Sequence, residues 1–142
     1  MTYKFCDEVY HPFNEMTINE FPKSEAYIDA SKNDIITSYR WIPPTIYGLK
    51  YILNALKPIV FGIVVYSNFE ELNKENYILN PPSETDQYLG MHALILCGYK
   101  QDTFIVCNSY GHEFGKDGFF EISNAYILDP KLSFDFFMIY NT

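Results

Sequence analysis

The sequence predicts an α+β domain in which antiparallel strands carry most of the fold and one helix packs on them. Three features support this. A β-prone hairpin is written into residues 92–97 (HALILC) and Thr103–Cys107 (TFIVC), joined by the polar turn Lys100, Gln101 and Asp102. A continuous apolar run, IVFGIVVY at 59–66, reads as a fully buried strand. Between the prolines Pro44 and Pro58, Ile46, Leu49, Ile52, Leu53 and Leu56 recur at helical spacing. Aromatic residues make up 18% of the chain, chiefly 13 Tyr and 12 Phe, which suits a β-rich core.

Residues 1–30 are polar and irregular, with Pro12 and Pro22 breaking any long helix. A short capped helical turn is expected at 24–30, then a strand at 34–42 that Pro43 and Pro44 stop. On that strand Trp41 is expected to pack in the core. Thr45 is placed to cap the helix 46–56, and Lys57 and Pro58 close it. Residues 69–87 are expected to be the least structured part, with 80–85 a plain loop. In the hairpin Gly98 is expected to end the first strand. Gly111, Gly115 and Gly118 then let a loop reverse without Cβ strain. A short turn or helix at 124–128 is broken by Asp129 and Pro130, and 134–140 forms the last strand. Internal repeats and low-complexity tracts are absent.

With 142 residues the chain can bury a real core, and 48% hydrophobic with 20% charged residues fits a globular protein. A formal net charge of −8 makes a nucleic-acid backbone an unsuitable partner. Three cysteines form no regular disulfide framework. Cys97 and Cys107 face each other across the hairpin or, as is commoner, stay as buried free thiols. Cys6 and His11 lack a second close ligand pair, so no metal site and no cofactor is expected, and His11 reads as a surface loop histidine. The N-terminus carries no apolar signal core, and the 59–66 run is too short to span a bilayer. A reducing compartment or a viral particle suits such a chain.

The hairpin sets His92 at the start of one strand and Asn108 just past the end of its neighbour. Facing residues of antiparallel strands lie about 4.5–5.5 Å apart, so the two side chains come together. A histidine beside an asparagine amide is the base-and-orienter part of a nucleophilic relay. Gly90-Met91-His92-Ala93, Gly98-Tyr99, Asn108-Ser109-Tyr110-Gly111, Phe114-Gly115 and Gly118-Phe119-Phe120 together resemble the papain family of cysteine peptidases. Its pattern is G-x-H-A, a strand ending in G-Y, then N-S-W-G-x-x-W-G-x-x-G-Y. Tyr110 and Phe114 stand where the family usually has tryptophan, which keeps aromatic bulk.

The resemblance implies a papain-like fold, represented mainly by its β-barrel half. Residues 1–33 would be the crossover segment at the end of the helical half, and 34–142 the barrel domain. It implies that His92 is the imidazole base and Asn108 the residue that orients it, with Gly90, Met91 and Tyr110 along the substrate cleft. His112 and Glu113 fall at variable positions and read as solvent-facing. The family's Q-x-x-x-x-x-C-[GS]-[SA]-C-W segment has no counterpart. Gln101 and Cys107 share its spacing, but they fall in the hairpin and Asn108 follows instead of tryptophan. By resemblance, then, the chain begins after the position of the nucleophile. Three readings follow: a peptidase whose cysteine comes from another chain covering the cleft face, a non-catalytic module of a larger assembly such as a virion, or a small β-rich domain that only mimics the motif.

Overall fold

The computed structural model describes residues 3–36 and 38–140. Two compact units divide them, one reaching to Tyr39 and including Tyr140, the other Arg40–Ile139.

In the first unit, β1 (Tyr3–Lys4) pairs antiparallel with β2 (Asp34–Ile36). Between them come a 3-10 turn at Glu8–Tyr10 and the helix α1 (Ser24–Ala30). No side chain caps α1, against the expectation of a capped turn: Lys23 holds the cap position without a side-chain bond. Asp29 and Asn33 tie the unit together. The Asp29 carboxylate accepts from the Asp7 N–H at 2.9 Å, and Asn33 Nδ2 donates to the Phe5 carbonyl at 3.1 Å. His11, on the loop that follows the 3-10 turn, is half-buried beside Cys6, and both line a hollow of about 330 Å³.

The second unit is built on a seven-stranded sheet. Its members in chain order are β3 (Ser38–Trp41), β4 (Ile59–Tyr66), β5 (Ile78–Leu79), β6 (Tyr88–Tyr99), β7 (Thr103–Cys107), β8 (Phe119–Ser123) and β9 (Ser133–Tyr140). Across the sheet they run β3-β9-β4-β6-β7-β8-β5. Helix α2 (Ile46–Asn54) starts at Thr45, whose Oγ1 accepts from the Gly48 N–H at 3.0 Å. It buries Leu49 and Leu53 and packs against β6 and β4. It ends sooner than the apolar spacing suggests, because Leu56 has turned into the left-handed region (φ 56) and is exposed. Helix α3 (Asn124–Ile127) is capped by Ser123, and the buried Tyr126 hydroxyl donates to the Val64 carbonyl at 2.6 Å.

Burial along β4 alternates, so the strand is half-buried rather than buried on both faces. Ile59, Phe61 and Ile63 point into the core, and Phe61 stacks on Phe136 with centroids 5.2 Å apart. At Gly62 the missing side chain admits the Phe134 ring, which would lie 2.4 Å from a Cβ there. Trp41 is 55% exposed, against the expectation of a core residue. It sits on the edge strand β3, and alternation turns its neighbour Ile42 inward instead.

Residues 69–87 hold more structure than their composition suggests. A 3-10 turn at Ser67–Phe69 leads out of β4, and β5 pairs parallel with β8. Asp86 orders the approach to β6: its carboxylate accepts from Ser83 N–H and Oγ, both at 2.7 Å, and from Ser67 Oγ at 2.9 Å. Those hydrogen bonds hold the Asp86 carboxyl below its ordinary pKa. Beyond Gly98 the hairpin continues to Tyr99, with a bulge between Leu96 and Gly98. Lys50 of α2 donates to the turn carbonyls of Lys100 and Gln101 at 2.9 and 3.1 Å. Lys100 and Thr103 both bond the buried carboxylate of Glu121 on β8. Among the described residues no helix is long and apolar enough to cross a membrane.

Candidate active site

Side-chain alternation brings the two polar residues of the hairpin onto one face. Leu94 and Leu96 are buried on β6, so His92 shares their side; Phe104 and Val106 are buried on β7, and Asn108 follows them. On the other flank Ile63 of β4 stands opposite His92. The His92 Nε2 and Asn108 Oδ1 atoms lie 2.8 Å apart. Oδ1 also accepts from the Ser109 N–H at 2.8 Å. A backbone N–H can only donate, so the amide group facing it is the oxygen, and the imidazole donates from Nε2. The lone pair therefore sits on Nδ1, the nitrogen left free to take a proton.

An aromatic cluster covers this bond. The Tyr110 ring lies 5.0 Å from the His92 ring and tilts 33° to it. Phe69, 3% exposed, is the hub: its centroid is 6.0 Å from His92, 6.4 Å from Tyr110, 5.4 Å from Phe114 and 5.6 Å from Phe120. Exclusion of water strengthens a hydrogen bond by lowering the local dielectric. Asn108 is 9% exposed, and its Nδ2 finds no acceptor among the described residues. An orphaned buried donor costs about 1–3 kcal/mol, a cost the fold carries in holding the amide to His92.

The loop after Asn108 keeps its shape through glycine. Gly115 has φ 54, and a Cβ there would meet the Phe119 carbonyl oxygen at 2.4 Å. His112 and Glu113 are exposed on this loop.

A hollow of about 200 Å³ opens beside His92, lined by Val65, Phe69, Glu70, Leu89, Gly90, Met91 and Tyr110. Gly90, Met91 and Tyr110, singled out in the sequence as cleft residues, thus gather on one side of the imidazole. Phe69 and Glu70 escaped the sequence reading. They follow β4, far from His92 along the chain, and nothing local to them marks a site.

Neither cysteine of this unit reaches His92. Cys107 follows the buried Val106 and so points to the opposite face of β7. Cys97 lies five residues along β6 from His92, about 16 Å at the strand rise. Cys97 and Cys107 are both free, and Cys97 is exposed rather than buried, because it alternates with the buried Leu96 on β6. Desolvation of its sulfur, and then neighbouring Cys107, push the Cys97 thiol up, away from the thiolate. Among the described residues no group of three His, Cys, Asp or Glu is placed to hold a metal ion.

Comparison with known proteins bears on the family and the fold. The family described as papain family cysteine protease matches residues 4–129. The chain belongs to the papain family of cysteine proteases. An uncharacterised peptidase C1-like protein of Acanthamoeba polyphaga mimivirus is 32% identical over 148 aligned positions, covering 96% of this chain and 47% of that protein. Xylellain, a cysteine protease from Xylella fastidiosa, superposes with a TM-score of 0.83 at 28% identity, over 96% of this chain and 56% of its own. A cysteine protease of Carica candamarcensis shares the fold (TM-score 0.68, 15% identity, 98% of this chain and 63% of its own). This papain-family chain therefore spans about half the length of the relatives it matches.

Proposed function

We propose that His92 and Asn108 are the base and the orienting residue of a cysteine peptidase site whose nucleophile is carried by polypeptide outside these 142 residues. The observation that carries this reading is the 2.8 Å bond from His92 Nε2 to Asn108 Oδ1, which leaves Nδ1 free. A cysteine thiol delivered to Nδ1 would lose its proton there, and the resulting thiolate would attack the peptide carbonyl. The imidazolium would then protonate the leaving amine, after which water, deprotonated by the same nitrogen, would hydrolyse the thioester. Asn108 would keep the ring in one tautomer and one orientation throughout. Without a thiol the pair has nothing to activate, so the 142 residues alone are inactive. In this reading residues 1–33 belong to the crossover from the nucleophile-bearing half and 34–142 to the barrel half. The half bearing the cysteine would cover the cleft face beside His92 and leave the hollow lined by Leu89, Gly90 and Met91 open to the peptide.

The test is the mass and stoichiometry of the native species, followed by peptide hydrolysis. The reading expects a companion segment with the missing glutamine and cysteine, and thiol-dependent cleavage that His92→Ala abolishes. A native species with no such segment, inert towards peptides and thiol-directed probes, would overturn it. That outcome would favour a second reading, a retired peptidase fold kept for contacts in a larger assembly such as a virion. The replacement of tryptophan by Tyr110 and Phe114, and the similar protein in a virus, support this alternative.

A further inference from the structure

The hollow beside His92 has a chemical bias that the Cys-His-Asn relay does not explain. Its volume, about 200 Å³, is below the range of about 300–1,000 Å³ that holds a whole small ligand, and suits a single side chain. Val65, Leu89 and Met91 give it apolar walls, and Phe69 and Tyr110 add ring surface. Glu70 is its one carboxylate. That residue follows the 3-10 turn at Ser67–Phe69, is exposed, and its carboxylate has no hydrogen bond or ion pair among the described residues. Asp86 is engaged by Ser83 and Ser67 and Glu121 by Lys100 and Thr103, whereas Glu70 is among the exposed carboxylates left free, and of these it is the one that lines the hollow. A hollow of mixed lining, with apolar side chains and one free carboxylate, matches a side chain with a hydrocarbon stem and a cationic head, the make-up of lysine and arginine. The whole chain, at −8, adds attraction for such a group.

We infer that Glu70 selects a lysine or arginine side chain of a bound peptide, held in the hollow next to His92. The inference rests on the peptidase reading for its meaning, since His92 gives its proton to the leaving amine and a side chain in this hollow would lie beside that group. Leu89 and Met91 would take the methylene stem, and the Glu70 carboxylate the ammonium or guanidinium. Tyr110, its ring tilted over the imidazole, would close the side towards the reacting bond.

The test measures binding apart from turnover. Lysine amide and norleucine amide, equal in stem and unequal in charge, are titrated into the isotopically labelled chain. The readout is the amide shifts of Gly90 and Met91 and the ring shifts of His92. Lysine amide should bind about fivefold more tightly at low salt, the worth of one partly exposed ion pair. Glu70→Gln, an exposed change that removes no packing, should erase the preference and leave norleucine amide binding unchanged. Equal binding of the two amides, or a preference that persists in Glu70→Gln, would overturn the inference. Cleavage assays with the cysteine-bearing companion are scored separately. A preserved charge preference without any cleavage would retire the peptidase reading and leave the cation-selecting hollow standing.

Discussion

Replacing Phe69 by alanine should damage fold and site together, because one ring supports both. The ring is 3% exposed and contacts the rings of His92, Tyr110, Phe114 and Phe120 at centroid distances between 5.4 and 6.4 Å. Truncating a buried phenylalanine costs about 3–5 kcal/mol through lost transfer energy and the cavity left behind. For a chain of this length that lowers the melting temperature by about 10–15 °C. Phe69→Leu keeps most of the volume and gives up mainly the ring pairs, about 1–2 kcal/mol. Urea unfolding monitored by tyrosine fluorescence measures the stability loss, with an unchanged slope showing that the unfolded state is not altered. Long-range proton–nitrogen NMR of the His92 ring reads the second consequence. In the parent chain the proton sits on Nε2; in Phe69→Ala, water reaching the Asn108 bond should populate the other tautomer. A loss below about 1 kcal/mol in Phe69→Ala, or an imidazole that keeps a single tautomer there, would refute the argument that this ring shields the pair.

Three further outcomes follow from the geometry. Glu121→Gln should cost about 1–2 kcal/mol by weakening the bonds to Lys100 and Thr103. Burial raises the Glu121 carboxyl, but the Lys100 and Thr103 hydrogen bonds and nearby positive charge more than offset it and hold it below its ordinary 4.5; Glu121 in turn holds Lys100 above its ordinary 10.5. The carboxylate's contribution is therefore present above pH 4.5 and lost as pH falls through the lowered value, while that of Lys100 is present below 10.5 and lost as pH rises through the raised one. Denaturant midpoints across pH should show a plateau between those limits, with a shallower acid fall in Glu121→Gln. Gly115→Ala should be severe, above about 3 kcal/mol, since it meets a backbone oxygen in a left-handed conformation; a soluble variant with the parent's melting curve would contradict this. Leu56→Gly should stabilise by about 1 kcal/mol in the same unfolding assay, because an exposed leucine there holds φ 56 with no packing to compensate.

Local pattern carried a large part of this fold. The bounds of β4 and β7 follow from apolar runs, a flanking proline and a polar turn, and the His92–Asn108 pair follows from the hairpin that joins their strands. What local pattern does not encode is partnership across the chain. The parallel pairing of β5 with β8 involves two residues on the short strand, too few to leave a period. Phe69 becomes a site residue only because β4 lies beside β6. Trp41 departs from expectation for a related reason: a large aromatic suggests a core, but its side of an edge strand is decided by Ile42. In the same way the eight-residue strand β4 reads as doubly buried from composition, and only the sheet shows that Val60 and Val64 lie on its less buried face.

The central place of β4 also bears on how the protein is made. Its two neighbours are β6 and β9, and the pairs Ile59↔Leu96 and Ile59↔Met138 flank the same residue. During synthesis, β4 leaves the ribosome well before residues 133–140 exist, so one edge of IVFGIVVY stays unpaired while β6, β7 and β8 assemble on the other. Such an edge is β-prone, uncharged and free of proline, the makeup of a segment that recruits like strands from other chains. Growth temperature and synthesis rate should therefore govern the soluble yield of this protein more than its final stability does.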